Sequence, residues 1–600
     1  MKFRNFIVSG LIVLMAPPLL AQNQFFTDET ERRIPQISYN SGSASGADVD
    51  SDGDIDVIGD AWAALPPYAP CYLFINDGYG VFTDETDARL PDTAFLSVAT
   101  AFADIDADKD YDAYIISEHD QDLLYINDGF GYFSDETSQR LPPLACTNAG
   151  FVYGDFSGDG HLDIITICGY ASGLNHYLLN NGFGYYEDVT SDRMPLDTLN
   201  EGVGVAADLD NDLDLDLLLD WLSGSSNLHI RGLENRGGYF LDFDEGRLAD
   251  RPTRWINVAD IDLDGDLDII ISGITSMGIL INESGSFIDE SAERLPDFDP
   301  DWGGCSMIGL GDYDNDADMD IYTGFGTMIE DHFFVNDGQG YFELADERIP
   351  DTRASTRWPE PFDADGDGDL DLYLACTGDG QQRILINHST PDTIPPVILA
   401  KDLPLGDIDT ASYYPLRISA YDNISVEKGA LSVSVSYKVN GGVFITEPMV
   451  HCGGTIFGHS LPGQPPGTEV QYYITVKDKM NNLITSPMNA PDSLHSFTVW
   501  LPSGIAEQQA LPVGSGLLVY PNPSNAGFRV SYYARESEPI TMSIYDLAGR
   551  SVHTEELNAP ARSAWLNWEW NGDRELPSGV YFVELQTNKR KEAARAVILK

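Results

Sequence analysis

Asp48-Val49-Asp50-Ser51-Asp52-Gly53-Asp54-Ile55-Asp56 places carboxylates at positions 1, 3, 5 and 9 of a nine-residue loop, with glycine at position 6. Position 7 can add a backbone carbonyl. The same phase returns at Asp104, Asp155, Asp208, Asp260, Asp312 and Asp363, at intervals of 56, 51, 53, 52, 52 and 51 residues. A period of that length marks a repeat architecture. Oxygen donors on alternating positions around a glycine bend suit a hard cation of Ca²⁺ size. Without a cation, so many aspartates in one bend repel one another.

The loop shares its first half with an EF-hand, but position 12 is Gly59 rather than glutamate. Its flanks, such as Ile55-Asp56-Val57-Ile58 and Leu267-Asp268-Ile269-Ile270-Ile271, are apolar and β-branched, as buried strands are. The cation is therefore expected in the bend of a β-hairpin. The candidate ligands are Asp48, Asp50, Asp52, Asp54 and Asp56 in the first loop, and Asp104, Asp106, Asp108, Asp110 and Asp112 in the second. The third offers Asp155, Ser157, Asp159, His161 and Asp163; the fourth Asp208, Asp210, Asp212, Asp214 and Asp216. The fifth offers Asp260, Asp262, Asp264, Asp266 and Asp268; the sixth Asp312, Asp314, Asp316, Asp318 and Asp320; the seventh Asp363, Asp365, Asp367, Asp369 and Asp371. Up to seven Ca²⁺ ions are expected. Lys109, Leu213 and Ala317 replace the glycine in the second, fourth and sixth loops, where a left-handed backbone would be strained. Ser157 and His161 are expected to weaken the third.

Three further features recur. A short strand ends in asparagine (Leu73-Phe74-Ile75-Asn76, Phe333-Phe334-Val335-Asn336). A glycine turn follows, such as Asp77-Gly78-Tyr79-Gly80, and then Phe-x-Asp, as in Phe82-Thr83-Asp84. Most units close on Leu-Pro or a close variant, as at Leu90-Pro91 and Leu141-Pro142. Four short strands per unit, seven times over, predict an all-β chain whose main domain is a seven-bladed β-propeller. The seventh unit stops at Asn387, while an orphan Phe-x-Asp strand stands at Phe25-Phe26-Thr27-Asp28. That strand is expected to complete the last blade and remove an open sheet edge.

These repeats resemble the FG-GAP or VCBS family, the calcium-bearing propeller repeats of integrin α-chain heads and of many bacterial secreted proteins. The resemblance covers residues 23–390. It implies Ca²⁺ on one face of the disc and ligands on the other. Trp62, Trp221, Trp255, Trp302 and Trp358 fall on or beside the connections of that second face, with Tyr68, Tyr170 and Phe325, and are the candidate ligand-binding residues. Plugging of the central channel or packing under the loops is the alternative for these rings. Arg254-Trp255 and Arg357-Trp358 occupy the same phase of their repeats.

Residues 1–21 read as a signal peptide, with Lys2 and Arg4 before an apolar run, and no later stretch is apolar enough to span a bilayer. Residues 391–500 alternate as strands with turn signals and resemble an Ig-like or fibronectin type III-like β-sandwich, with a spacer role. A linker follows at 501–516. Residues 517–600 carry Tyr520-Pro521-Asn522-Pro523, Asp546-Leu547-Ala548-Gly549-Arg550 and Gly579-Val580-Tyr581. They resemble the C-terminal sorting domain of type IX secretion substrates, a small β-sandwich, with a FlgD-like Ig fold as the alternative. Six cysteines are too scattered for a zinc site; Cys146 and Cys168 flank one metal hairpin and could pair, free buried cysteine being the alternative.

A net charge of −62 excludes a nucleic-acid partner, which needs a basic face. No nucleophile elbow, metalloprotease helix or phosphate loop appears. Together these features predict a secreted or cell-surface calcium-binding recognition or adhesion protein without catalytic activity. Its expected partners are a glycan or an extracellular protein, besides the secretion machinery. The alternative is a polysaccharide lyase or hydrolase, for which Asp60, Glu118, His119, Asp220 and Asp331 are the carboxylates and histidine on the non-metal face.

Overall fold

The computed structural model describes residues 25–500 except 37–39, 62–70, 93–96, 118–120, 145–147, 170–173, 196–199, 224–226, 244–245, 250, 252, 274–276, 298–306, 325–329, 353–354, 378–380, 410–412 and 423–430. Beyond 516 it describes 517–520, 528–534, 540–546, 550–557, 564–570, 579–587 and 591–598. The proposed signal peptide lies outside these residues.

Each metal loop is the tip of an antiparallel hairpin. In the first blade, Ala44–Ala47 runs into the loop and Asp56–Asp60 leaves it, with Ala47 opposite Asp56. Cys71–Asn76 and Phe82–Asp84 complete a four-stranded sheet, joined by the glycine turn with Asn76 opposite Phe82. Chain direction alternates strand by strand, so the metal loop and the glycine turn emerge on one face. Gly78 lies so close to the Asp54 carboxylate that a β-carbon would clash with it at 2.4 Å.

Seven four-stranded sheets follow this plan. Their innermost strands touch in sequence, and the ring closes where Ala44–Ala47 of the first sheet meets Ser355–Phe362 of the seventh. The fourth strand of the seventh sheet is Thr27–Asp28, paired with Arg383–Ile386 through Thr27–Ile386 and Asp28–Leu385. Phe26, fully buried, packs edge-on against Tyr313 and Phe333 at ring-centroid distances of 5.6 and 6.0 Å. The orphan strand thus closes the propeller. Apolar clusters lie between blades; one joins Val57, Tyr72 and Phe74 of the first to Tyr373 and Ile384 of the seventh.

Residues 397–500 form two packed sheets. One holds Val397–Asp402, Tyr413–Tyr421, Ile456–Pro462 and Val450–Gly453. The other is centred on Glu469–Lys477 between Ser432–Val439 and His495–Trp500. Leu416, Ile418, Val435, Ile474 and Val476 fill the space between them. This sandwich does not hang free as a spacer. It packs on the metal-loop face of the propeller: Cys452 and Ile456 belong to the same buried cluster as Leu215 and Leu217 of the fourth blade. The connecting segment is pinned as well. The Asp392 N–H donates to Gly368 O at 2.9 Å, Asp392 accepts from Asn482 Nδ2 at 3.0 Å, and Asn315 donates to Thr390 O. The propeller and sandwich together make one compact unit, up to Leu501.

The C-terminal unit, from Pro502, has one sheet of Leu517–Tyr520, Phe528–Ala534 and Ala564–Trp570. The other is Ser551–Leu557, Ile540–Asp546, Gly579–Gln586 and Lys591–Ile598. Met542, Ile544, Val583 and Leu585 are buried between them, and Trp568 is half-buried with its indole N–H on Glu555 at 2.9 Å.

Candidate metal centres and the opposite face

The nine-residue loops owe their shape to their own carboxylates. The first aspartate accepts two backbone N–H groups from across the bend: Asp52 N and Gly53 N donate to the two oxygens of Asp48 at 3.1 and 3.0 Å. Asp208, Asp260 and Asp312 do the same for their loops. Position 6 is left-handed in every loop, including Lys109 (φ 84°), Leu213 (φ 68°) and Ala317 (φ 84°). Position 4 is left-handed too, at Ser51, Ala107, Gly158, Asn211, Leu263, Asn315 and Gly366. This second left-handed position was not foreseen, although Gly158, Asn211, Asn315 and Gly366 carried a signal for it; serine, alanine and leucine in the other three loops gave none.

The ninth aspartate is the most buried. Asp56, Asp112, Asp163, Asp268 and Asp320 are fully shielded from solvent. In the first loop Asp56 accepts the Asn76 N–H at 2.8 Å and the Val49 N–H at 3.2 Å. Burial still dominates and pushes Asp56, Asp112 and Asp268 up to about 8; backbone hydrogen bonds oppose it only in part. Burial and then neighbouring aspartates push Asp318 and Asp369 to about 8 as well.

Oxygens of Asp48, Asp50 and Asp56 converge within 4.8 Å, as do those of Asp260, Asp262 and Asp268, and those of Asp104, Asp106 and Asp108. Asp208, Asp210 and Asp212 converge likewise, and so do Asp312, Asp314 and Asp316. At position 3, one oxygen each of Asp50, Asp106, Asp262, Asp314 and Asp365 is buried without a hydrogen-bond partner. The same holds at position 7 for Asp110, Asp214, Asp318 and Asp369, so in these loops position 7 offers a side-chain oxygen and not only its carbonyl. Buried, unpartnered, all-oxygen donor sets fit a hard divalent cation.

Sequence reasoning missed the groups that aim these donors. An arginine stands just before the Leu-Pro, or its variant, that closes each unit: Arg33, Arg89, Arg140, Arg193, Arg247, Arg294 and Arg348. Arg89 donates to Asp50 Oδ2 and to Phe130 O of the next blade's glycine turn, both at 3.0 Å. Arg140 joins Asp106 to Phe183 O, Arg247 joins Asp210 to Gly285 O, and Arg294 joins Asp262 to Gln339 O. Arg33 spans the ring closure between Asp365 and Tyr79 O. Each of these five arginines takes one oxygen of the position-3 carboxylate and leaves the other for the loop. The recurring asparagine adds a second stitch: Asn127 Nδ2 donates to Val49 O of the preceding loop at 2.8 Å, and Asn76, Asn180, Asn235, Asn282, Asn336 and Asn387 repeat the bond. The seven-fold recurrence of the arginine, at intervals near those of the loops, was the available signal.

Of the residues expected on the opposite face, Trp62, Trp302, Tyr68, Tyr170, Phe325, Glu118 and His119 lie outside the described residues, as does the side chain of Trp221. Trp255 begins the innermost strand of the fifth blade and is half-buried, with the guanidinium groups of Arg254 and Arg357 at 5.8 and 6.0 Å from its ring. Arg357 belongs to the seventh blade, so this contact reaches across the central channel. Trp358 packs against the core between the seventh and first blades, its indole N–H on Glu360 at 2.8 Å. Asp60, Asp220 and Asp331 are buried anchors. Asp60 Oδ1 takes the N–H groups of Gly42 and Ser43, Asp220 those of Gly202 and Val203, and Asp331 the hydroxyls of Tyr322, Thr352 and Thr356. Cys168 is disulfide-bonded; Cys146 and Cys305 lie outside the described residues, and Cys71, Cys376 and Cys452 are free and buried.

Residues 104–166 and 155–219, the second to fourth metal loops and their strands, match the FG-GAP-like repeat, and residues 518–600 match the secretion system C-terminal sorting domain. The chain carries FG-GAP-type propeller repeats and a secretion sorting tail. The tail marks the protein for type IX export to the cell surface or the extracellular space. Among solved structures, the chain is similar to the Dos1 propeller, at 9% identity over 62% of this chain and 95% of that one, TM-score 0.35. It is also similar to the full extracellular region of Plexin A4, at 9% identity over 96% of this chain and 66% of that one, TM-score 0.34. The FN1-FN3 domains of chicken CNTN1 align at 10% identity over 49% of this chain and 98% of that one, TM-score 0.16. No curated protein matches the chain. Among the described residues no helix is long and apolar enough to cross a membrane.

Proposed function

We propose that this exported FG-GAP-type propeller is a non-catalytic recognition or adhesion protein. On this reading its acidic loops hold Ca²⁺ and its non-metal face binds a glycan or an extracellular protein. The ring of converging, unpartnered carboxylate oxygens supports the calcium. Calcium supplies the counter-charge that lets buried aspartates ionise, and the arginines and asparagines hold the donors and couple each loop to its neighbour. The observation that carries the choice of face is the packing of the sandwich on the metal side, where Cys452, Ile456 and Arg417 cover part of the third and fourth loops. Asp60, Asp220 and Asp331 are spent on backbone and hydroxyl anchors, which disfavours the polysaccharide lyase or hydrolase reading.

A glycan array read with and without a chelator, alongside reducing-sugar and unsaturated-product assays, tests the proposal. Calcium-dependent binding without turnover is the expected result. Turnover lost on substituting Asp220 or His119 would establish the enzyme instead.

A further inference from the structure

The third loop departs from its six companions in four ways. Position 3 is Ser157, so the carboxylate that the other loops hold on an arginine is absent. Arg193 stands over the Tyr239 ring at 5.4 Å, as its counterparts Arg89, Arg140 and Arg294 stand over Tyr132, Tyr185 and Tyr341, but it also lies over the ring of Tyr177 at 5.7 Å. The Tyr177 hydroxyl donates to Asp163 Oδ2 at 3.1 Å, an oxygen that also takes the Ser157 N–H. Finally, a cation from another part of the chain already stands on the loop. Arg417, in strand Tyr413–Tyr421 of the sandwich, donates one guanidinium nitrogen to Asp155 Oδ2 at 2.5 Å and another to Leu213 O of the fourth loop at 2.9 Å.

The surroundings are built to keep it there. The Asp155 side chain has no solvent exposure, and its backbone N–H donates to Cys452 O of the sandwich at 2.7 Å. Gly453 meets Gly154 so closely that a β-carbon on Gly453 would lie 2.7 Å from the Gly154 Cα. A guanidinium and a divalent ion cannot share the same carboxylate oxygen in a closed site without strong repulsion. With one carboxylate missing, one paired to arginine and one taken by a tyrosine, the donor set does not fit Ca²⁺.

We infer that the third loop is not a metal site: Arg417 takes the place of its cation, which turns this loop into the socket that locks the sandwich onto the propeller. The inference rests on calcium occupying the other loops, and Asp260→Asn is the control that separates the two. Metal content of the exported full-length chain, measured by native mass spectrometry, should be at most six Ca²⁺. Asp260→Asn should lower the count by one, whereas Asp155→Asn and Arg417→Gln should leave it unchanged. Arg417→Gln should also speed proteolysis in the 391–396 segment at saturating Ca²⁺, a readout that does not depend on Asp155 variants folding. Seven ions in the wild type, or one ion lost in Asp155→Asn, would overturn the inference. An unchanged count in Asp260→Asn would instead overturn the calcium reading itself.

Discussion

At the sixth position every loop takes a positive φ, which is easy for glycine and strained for lysine, leucine or alanine. Ala317 holds φ 84° where glycine would be at ease, and Gly53 holds φ 100° with nothing within 4 Å of where a β-carbon would stand. Ala317→Gly should therefore raise unfolding free energy by about 1 kcal/mol, and Gly53→Ala should lower it by a similar amount, read by denaturant titration in excess Ca²⁺. The same loops set a pH dependence. Burial raises Asp56, Asp112 and Asp268 from 3.8 to about 8, so the metal-free fold prefers them protonated while the unfolded chain does not. Stability in a chelator should then be highest near pH 4 and fall as pH rises to about 8. Saturating Ca²⁺ should cancel this loss, because the ion binds the ionised form. Melting temperatures across that range, with chelator and with calcium, check both signs.

Single blades are held to their neighbours by side chains that cross from one repeat to the next. Arg89 is largely buried between Asp50 and the Phe130 carbonyl. Removing it leaves a buried carboxylate without its partner, so Arg89→Ala should cost about 3 kcal/mol. It should also weaken calcium binding at the first loop, measurable by calorimetry against wild type. Closure of the ring depends on a two-residue strand and one aromatic ring. Phe26→Ala should cost about 3–5 kcal/mol, read as a lower denaturant midpoint in excess Ca²⁺. The two-residue strand was visible from sequence because its Phe-x-Asp phase matched the seventh blade's missing strand. The arginines recur with the repeat, but what they bracket was not legible, because an arginine ending a four-residue helix such as Thr86–Arg89 meets its carboxylate and carbonyl only when the blades are brought side by side.

For the whole molecule, acidic loops lie under part of the sandwich, so on the proposed calcium reading cation binding and domain packing should be linked. Chelation should lower the melting temperature and expose the 391–396 segment to protease, while added Ca²⁺ should reverse both. A segment that stays protected in chelator would mean that apolar packing around Cys452 and Ile456 alone holds the sandwich in place. The repeat period, the alternation of apolar residues and the aspartate phase already determined the propeller, its blade plan and the position of every acidic loop, because these depend on local spacing within one repeat. Which donors are buried, which arginine aims them and where the sandwich docks depend on residues more than thirty positions apart. Only the closed ring and its packed partner bring Arg89 to Asp50, Trp255 to Arg357 and Arg417 to Asp155, because burial and counter-charge belong to the assembled fold and not to any one segment.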